Sequence, residues 1–228
     1  MERPLTRRAV LTAGLAAGLL PLGRLPALAA RSSDVFPAPG SLDFAIERKG
    51  ETVGAQRYAF RDGPGSFSVT YGSEQTFPLR GGRIWRYLHL GEEVWRDGWL
   101  DSLETETRRG GEVAALSLRR EGEALYGTAG GQKISVSGYV ITTSLWHRDT
   151  PFTQVLLGHE DGRTKVVNVA PLGRERLETP AGAVETRRYA LSGEIERNLW
   201  YGPESRLLKA SWPGPEGEIL VLRLQRSE

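Results

Sequence analysis

The sequence predicts an all-β domain with minor α content: a single strongly curved antiparallel sheet or incomplete barrel, with a short helical insertion. Three observations predict it. Apolar residues recur with a period of two, turn residues punctuate the chain roughly every eight to twelve positions, and no segment beyond the first thirty residues keeps a helical period. A set of strands this large must curl or close, because long flat edges aggregate.

Alternation and turn chemistry predict the individual strands. Leu42, Phe44 and Ile46 alternate with polar residues, and Lys49-Gly50-Glu51 turns the chain into the next strand. Asp62-Gly63-Pro64-Gly65 is a strong turn signal of the same kind. The further predicted strands are 53–60, 66–77, 83–90, 93–95, 99–107, 112–120, short strands around 125 and 134–136, 163–172, 175–178, 183–191, 198–201, 206–212 and 218–224.

One segment, 141–157, interrupts the strand pattern. Thr143 or Ser144 is suited to cap a short helix that carries Leu145, Trp146 and His147. We expect this segment to plug the mouth or the concave side of the curved sheet.

The first 29 residues read as a twin-arginine signal peptide. Arg7 and Arg8 precede an apolar stretch, 9–22, which at about 14 residues is too short to span a bilayer. Ala27-Leu28-Ala29 supplies a small-x-small cleavage site. We therefore expect recognition by the twin-arginine export machinery, cleavage near Ala29, and a periplasmic or secreted product without a stable membrane anchor. Residues 30–40 are predicted as a flexible linker and 41–228 as a single β domain.

Composition excludes several classes of protein. The chain has no cysteine, which rules out disulfides, thiolate-held iron–sulfur clusters, attached c-type haem and cysteine zinc sites. The formal charge is +2, but the leader contributes four arginines and one glutamate, a net +3, so the rest of the chain carries −1. That balance does not fit a nucleic-acid-binding protein. No cofactor is predicted.

Two chemical constellations compete with a binding function. Ser144, His147 and Asp149 lie close in sequence and suggest a hydrolase that uses His147, but the chain has no Gly-x-Ser-x-Gly elbow. The His-x-Asp pairs His147/Asp149 and His159/Asp161 could supply four metal ligands, although nothing in their spacing is diagnostic. We therefore predict no catalytic residue and no metal ligand, and an enzyme of unknown class is the second alternative function.

The aromatic residues give the clearest signal of a binding site. Rings with polar groups suit a pocket that holds an apolar or amphiphilic ligand and anchors its head group. We place Trp146 at the pocket mouth with His147 as its polar anchor, and Trp99 in the core. Taken singly, each ring is better explained as core or rim packing, and we expect a subset of the rings to line a cavity. The candidate ligand-binding residues are Tyr87, His89, Trp95, Trp146, His147, Trp200 and Tyr201.

The expected occupant is a lipid or another apolar small molecule. The first alternative is an interaction module that has no small-molecule ligand and docks an envelope protein on an exposed strand edge.

Four short motifs follow one another along the chain in a fixed order: Val94-Trp95-Arg96-Asp97-Gly98-Trp99-Leu100, Thr143-Ser144-Leu145-Trp146, Leu172-Gly173-Arg174-Glu175 and Leu199-Trp200-Tyr201. This ordered series resembles an uncharacterised family of exported bacterial β proteins, DUF6134, over roughly 42–224. The resemblance implies a distant similarity to periplasmic lipoprotein carriers and outer-membrane-assembly accessory domains, which bind acyl chains or proteins without catalysis. It also implies Asn after Trp146, where this chain has His147.

Overall fold

The structure, a computed structural model, describes residues 36–228 and confirms the predicted all-β fold. Fifteen strands form one sheet that stays open. The signal peptide predicted at 1–29 lies outside the described residues. The strands are β1 (Gly40–Arg48), β2 (Glu51–Gly63), β3 (Ser66–Pro78), β4 (Ile84–Arg96), β5 (Trp99–Arg109), β6 (Glu112–Glu121), β7 (Ala124–Ala129), β8 (Gln132–Ser137), β9 (Ile141–Thr142), β10 (Val155–Leu157), β11 (Thr164–Thr179), β12 (Gly182–Gly193), β13 (Arg197–Tyr201), β14 (Leu207–Pro213) and β15 (Ile219–Ser227).

The sheet consists of two meanders joined through the first and last strands. Its order is β8-β7-β6-β5-β4-β3-β2-β1-β15-β14-β13-β12-β11-β10-β9, so β8 and β9, which are consecutive in sequence, form the two edges. Neighbouring strands are antiparallel except β9 and β10, which pair in parallel. Hydrogen bonds between Ser41 and Glu228 close the join between β1 and β15.

The sheet curves around the segment 139–163, which we call the plug. The Tyr58 hydroxyl on β2 donates to the Ser144 carbonyl at 2.6 Å, and the Tyr201 hydroxyl on β13 donates to the Leu145 carbonyl at 2.7 Å. Strands from both meanders therefore reach the same turn. Gly162 packs against side chains of β6, β7 and β8, where an added Cβ would clash. The predicted plugging of the concave side is thus found.

The predicted helix in the plug is wrong. Leu145 has a φ of 69°, in the left-handed region that an α-helix cannot include. The carbonyls of Ser144 and Leu145 accept the two tyrosine hydroxyls, which holds the turn in this conformation. The helical content of the described residues is limited to 3₁₀ turns at Arg80–Gly82, Thr150–Phe152 and Pro203–Ser205. None of their helices is long and apolar enough to cross a membrane.

Several predicted boundaries also change. The segments predicted as 163–172 and 175–178 form one strand, β11. The segments predicted as 83–90 and 93–95 form one continuous strand, β4, because Gly91 pairs with Tyr71 of β3 instead of breaking the ladder. Phe36, inside the predicted flexible linker, is buried and stacks on Phe67 at 4.5 Å between ring centroids. The packed domain therefore extends at least to Phe36.

Strand alternation places the core on the concave face. Along β3, buried residues alternate with exposed or half-buried ones from Phe67 to Phe77. Trp99 departs from our expectation: it is 40 % exposed and packs edge-on against Tyr139, because it begins β5 on the outward side. Trp95, its neighbour in the same hairpin, is fully buried.

Candidate functional site

The inward face of β4 passes through two different environments. Gly91 lies between the two environments. The Tyr71 ring packs over it so closely that a Cβ at this position would lie 2.4 Å from the ring. On one side the strand face belongs to the packed core, and on the other it borders a cavity. The inward residues, in order, are Trp85, Tyr87, His89, Gly91, Glu93 and Trp95.

On the core side, Glu93 is fully buried and joins the sheet to the plug. Its Oε2 accepts hydrogen bonds from the indole N–H groups of Trp95 and Trp146, each at 3.0 Å, and its Oε1 accepts one from the Thr142 hydroxyl at 2.6 Å. Burial raises the pKa of Glu93 above its ordinary value, while hydrogen bonds from Thr142, Ser144 and the two tryptophans oppose the shift. We call these groups the Glu93 cluster.

His147 packs against this cluster. Its ring lies 5.0 Å from Trp95 and 5.2 Å from Trp146 between centroids, and only 1 % of the residue is exposed. Nδ1 accepts the backbone N–H of Asp149 at 3.1 Å. Burial lowers the pKa of His147 to about 4, so the ring is neutral near pH 7. It is a buried core histidine and does not sit at a pocket mouth.

The structure does not assemble the hydrolase constellation considered from sequence. The Ser144 hydroxyl bonds to Thr142 at 2.6 Å, whereas His147 bonds to the Asp149 backbone. A nucleophilic serine needs a hydrogen bond to its general base, and this pair lacks one in the described structure.

On the cavity side, two histidines face each other. The rings of His89 and His159 lie 4.5 Å apart between centroids at a steep angle. His89 Nδ1 bonds to the Thr107 hydroxyl at 2.8 Å, and His159 Nδ1 bonds to the Thr143 hydroxyl. Burial lowers the pKa of His89 to about 4 and that of His159 well below its ordinary value. Both rings are therefore uncharged near pH 7.

These histidines line a cavity of about 320 Å³ between the plug and the sheet. The His89 Nε2 and Trp85 Nε1 atoms on its wall are buried and have no hydrogen-bond partner among the described residues. Exposed Pro213 and Pro215, in the turn between β14 and β15, mark its open side. The apolar part of the wall is formed by Trp85, Leu145, Ala210, Trp212, Leu220 and Leu222.

Charged groups gather at the other part of the same wall. The Tyr87 hydroxyl donates a hydrogen bond to Glu160 Oε1 at 2.8 Å. The other carboxylate oxygen, Oε2, forms an ion pair with Arg109 at 2.5 Å. Arg197 also lines the cavity, with its guanidinium 5.3 Å from the centroid of the Trp212 ring. The cavity thus has an apolar part and a polar part.

A larger groove of about 1,180 Å³ opens at the opposite end of the barrel-like sheet, near the turn between β2 and β3. Trp146 forms part of its floor but is only 3 % exposed, so our placement of this residue at a pocket mouth is wrong. Tyr201 also reaches this groove, although its hydroxyl is taken by the Leu145 carbonyl.

The seven candidate residues therefore do not form one site. Tyr87 and His89 line the cavity. Trp200 is on the outer side of the sheet yet only 4 % exposed, with Lys209 4.2 Å from its ring and its indole N–H donating to Glu175 at 2.8 Å. The other four lie in or beside the core: Trp95, Trp146, His147 and Tyr201.

Sequence reasoning missed several residues that shape the site. Glu93 was detectable, because a period of two from His89 places it on the inward face beside Trp95. Arg197 carries no such signal, and His159 was singled out only as a candidate metal ligand; distant segments bring both to the cavity. The described residues contain no group of three or more His, Asp or Glu side chains placed to hold a metal ion.

The solved structure of a beta-barrel-like protein of domain of unknown function DUF1849, from Brucella abortus, is similar to this fold. Its TM-score is 0.64 at 8 % sequence identity, over 85 % of this chain and 98 % of that one, which establishes a shared fold alone. No curated protein sequence matches the chain significantly. Residues 44–225 match the domain of unknown function DUF6134, as the ordered motifs indicated, and the chain belongs to that family.

Proposed function

We propose that this protein binds a small amphiphilic molecule, without chemical conversion, in the cavity between the plug and the sheet. One observation carries the proposal: His89, a residue of the cavity wall, is 2 % exposed, and its Nε2 atom has no hydrogen-bond partner among the described residues. A buried nitrogen without a hydrogen-bond partner costs about 1–3 kcal/mol. A ligand that forms a hydrogen bond with this nitrogen is therefore favoured.

The size and lining of the cavity narrow the class of ligand. A volume of about 320 Å³ is at the lower end of the range for small-molecule pockets, roughly 300–1,000 Å³. A compact body that packs against Trp85 and Trp212 suits this space better than a lipid with two acyl chains. The neighbouring polar groups then orient the head of the ligand.

The proposed place of action is outside the cytoplasm, and its support is the leader sequence alone. Arg7, Arg8 and the Ala27-Leu28-Ala29 site direct the chain to the twin-arginine export machinery. Replacing both arginines with lysine should leave uncleaved precursor in the cytoplasm. Normal accumulation of the double variant in the periplasm would contradict the assignment.

Titration with the neutral fluorescent probe N-phenyl-1-naphthylamine tests the binding function. We expect saturable binding of one probe per chain, and native mass spectrometry of protein recovered from the periplasm should show a co-purifying small molecule. Trp85→Ala should weaken binding of the probe roughly 10- to 100-fold, the scale of a lost buried aromatic contact.

Trp99→Ala is the matched control, because Trp99 lies on the outer face and is 40 % exposed. This variant should bind the probe as the wild type does. Absence of saturable binding, or an equal loss in both variants, would reject the cavity as a ligand site. Docking of an envelope protein on the edge strand β8 would then be the function to test.

A further inference from the structure

We propose that the ligand of this cavity is a monoanion, a carboxylate or sulfonate on a compact apolar body, and that Arg197 receives its charge. The inference rests on the proposed function and deepens it by naming the chemical class. It follows from the charges of the cavity wall, counted one group at a time.

The acidic group of the wall is already occupied. Both carboxylate oxygens of Glu160 have partners, since Tyr87 donates to Oε1 and Arg109 pairs with Oε2. Glu160 and Arg109 therefore balance each other. The neutral histidines, His89 and His159, add no charge near pH 7.

After Glu160 and Arg109 are paired, the charged group that remains on the cavity wall is the guanidinium of Arg197. This residue lies on the inward side of β13, two residues before buried Leu199, and the Glu196 carbonyl accepts from its Nη1 at 2.9 Å. Among the described residues no carboxylate comes within 4.0 Å of its guanidinium. Burial lowers its pKa, and the nearby Glu160 opposes the shift. The wall thus carries one positive charge without a direct counterion, and desolvation makes an anionic ligand favourable there.

His89 completes the anion site. The Thr107 hydroxyl is able to donate to Nδ1, which leaves the ring proton on Nε2, the atom without a partner. Since His89 and Arg197 line the same cavity, its wall then offers two donors, the His89 N–H and the Arg197 guanidinium. The apolar wall around Trp212, Leu220 and Leu222 receives the body of the ligand.

A pair of probes that differ by one charge tests the inference. 8-Anilinonaphthalene-1-sulfonate carries the same ring system as N-phenyl-1-naphthylamine with one added sulfonate. We expect the wild type to bind the sulfonate about 10- to 100-fold more tightly, as a charge-assisted contact supplies. Arg197→Gln should remove this preference and change the Kd of the neutral probe less than about three-fold. Arg197→Lys should retain most of it.

Two further variants control for charge and for folding. Arg108→Gln removes the same charge from an exposed position outside the cavity, so it should leave both probes unaffected. Glu160→Gln frees Arg109 and should tighten binding of the sulfonate several-fold more than binding of the neutral probe. This variant tests whether the charge of the cavity wall controls binding even if Arg197→Gln does not fold, and an equal change for both probes would overturn the monoanion assignment.

The outcomes separate the two proposals. If neither probe binds, the proposed function fails and the inference fails with it. If the neutral probe binds but the sulfonate gains nothing, or if Arg197→Gln weakens both probes equally, the monoanion assignment is overturned while the binding function stands.

Discussion

The two halves of the inward face of β4 differ in how their polar groups are satisfied. Around Glu93, the carboxylate receives donors from the sheet and from the plug, and the rings of Trp95 and Trp146 fill the remaining space. Around His89, the ring has one partner and borders a cavity. Both halves combine aromatic rings with a titratable group, yet one builds the core and the other is suited to a ligand.

This difference shows that aromatic and polar composition alone does not identify a binding site. Partner saturation alone is not enough either, because His147 Nε2 beside the Glu93 cluster is also buried without a partner among the described residues. The distinguishing property is an unsatisfied polar atom on a residue that lines a cavity, as His89 does. A saturated cluster such as that of Glu93 stabilises the docking of the plug, whereas an unpartnered buried nitrogen such as His89 Nε2 favours an added molecule. Variants on the two sides of Gly91 should therefore affect different measurements.

The largest expected effect is the loss of stability in Trp146→Ala. This change removes a buried ring and one donor to Glu93, so the free energy of unfolding should fall by about 3–5 kcal/mol. Trp99→Ala, the exposed control, should cost at most about 1 kcal/mol. Urea unfolding measures both. The protein that remains folded in Trp146→Ala should bind the neutral probe normally; weakened binding with full stability would place the ligand at Trp146 instead.

A smaller effect is expected from Gly91→Ala, at the boundary between the halves. The new methyl group would lie 2.4 Å from the Tyr71 ring, which has little room to move, and overpacking of this kind costs about 3 kcal/mol at most. In Gly72→Ala, the methyl group meets the flexible end of Leu90 at 3.2 Å and the His89 carbonyl oxygen at an ordinary contact distance of 3.9 Å. Thermal unfolding should therefore rank Gly91→Ala well below Gly72→Ala, and equal melting temperatures would show that Tyr71 is not fixed over Gly91.

The smallest expected effect is the contribution of His147 to the pH dependence of stability. Its pKa falls from an ordinary value near 6.5 to about 4 in the folded chain. The resulting stability is present above pH 6.5 and is lost as the pH falls towards 4, and this group should account for a loss of about 2 kcal/mol between pH 7 and pH 4.5. The raised pKa of Glu93 acts in the opposite direction, because its contribution is lost as the pH rises.

His147→Asn isolates the histidine contribution. Asparagine offers an acceptor for the Asp149 N–H but does not titrate, so unfolding measured from pH 7 to pH 4.5 should show a shallower loss of stability than in the wild type. Glu93→Gln should show a steeper one. Identical pH profiles for the wild type and His147→Asn would mean that the ring is protonated, or exposed, in the folded protein.

Local rules explain what was predicted correctly. The period of two and the turn residues determine the strands, and alternation alone places Tyr87 and His89 on one face. The same rule covers Glu93, but the predicted strands stop at residue 90 and resume at residue 93, on either side of Gly91. In the fold it lies inside a strand, where the Tyr71 ring occupies the space that a side chain would need. A glycine in a strand can thus mark close packing as readily as a break.

The sequence by itself determined the class of fold, the curvature and the segment that fills the concave face, because these depend on periodicity and on turn chemistry between neighbours in the chain. Only the tertiary structure decided which aromatic residues are core and which border a cavity. That outcome depends on contacts between distant segments: Trp146 reaches Glu93, Tyr201 reaches Leu145, and Arg197 shares a wall with His89. Burial and hydrogen-bond saturation arise from such contacts, and no local pattern encodes them.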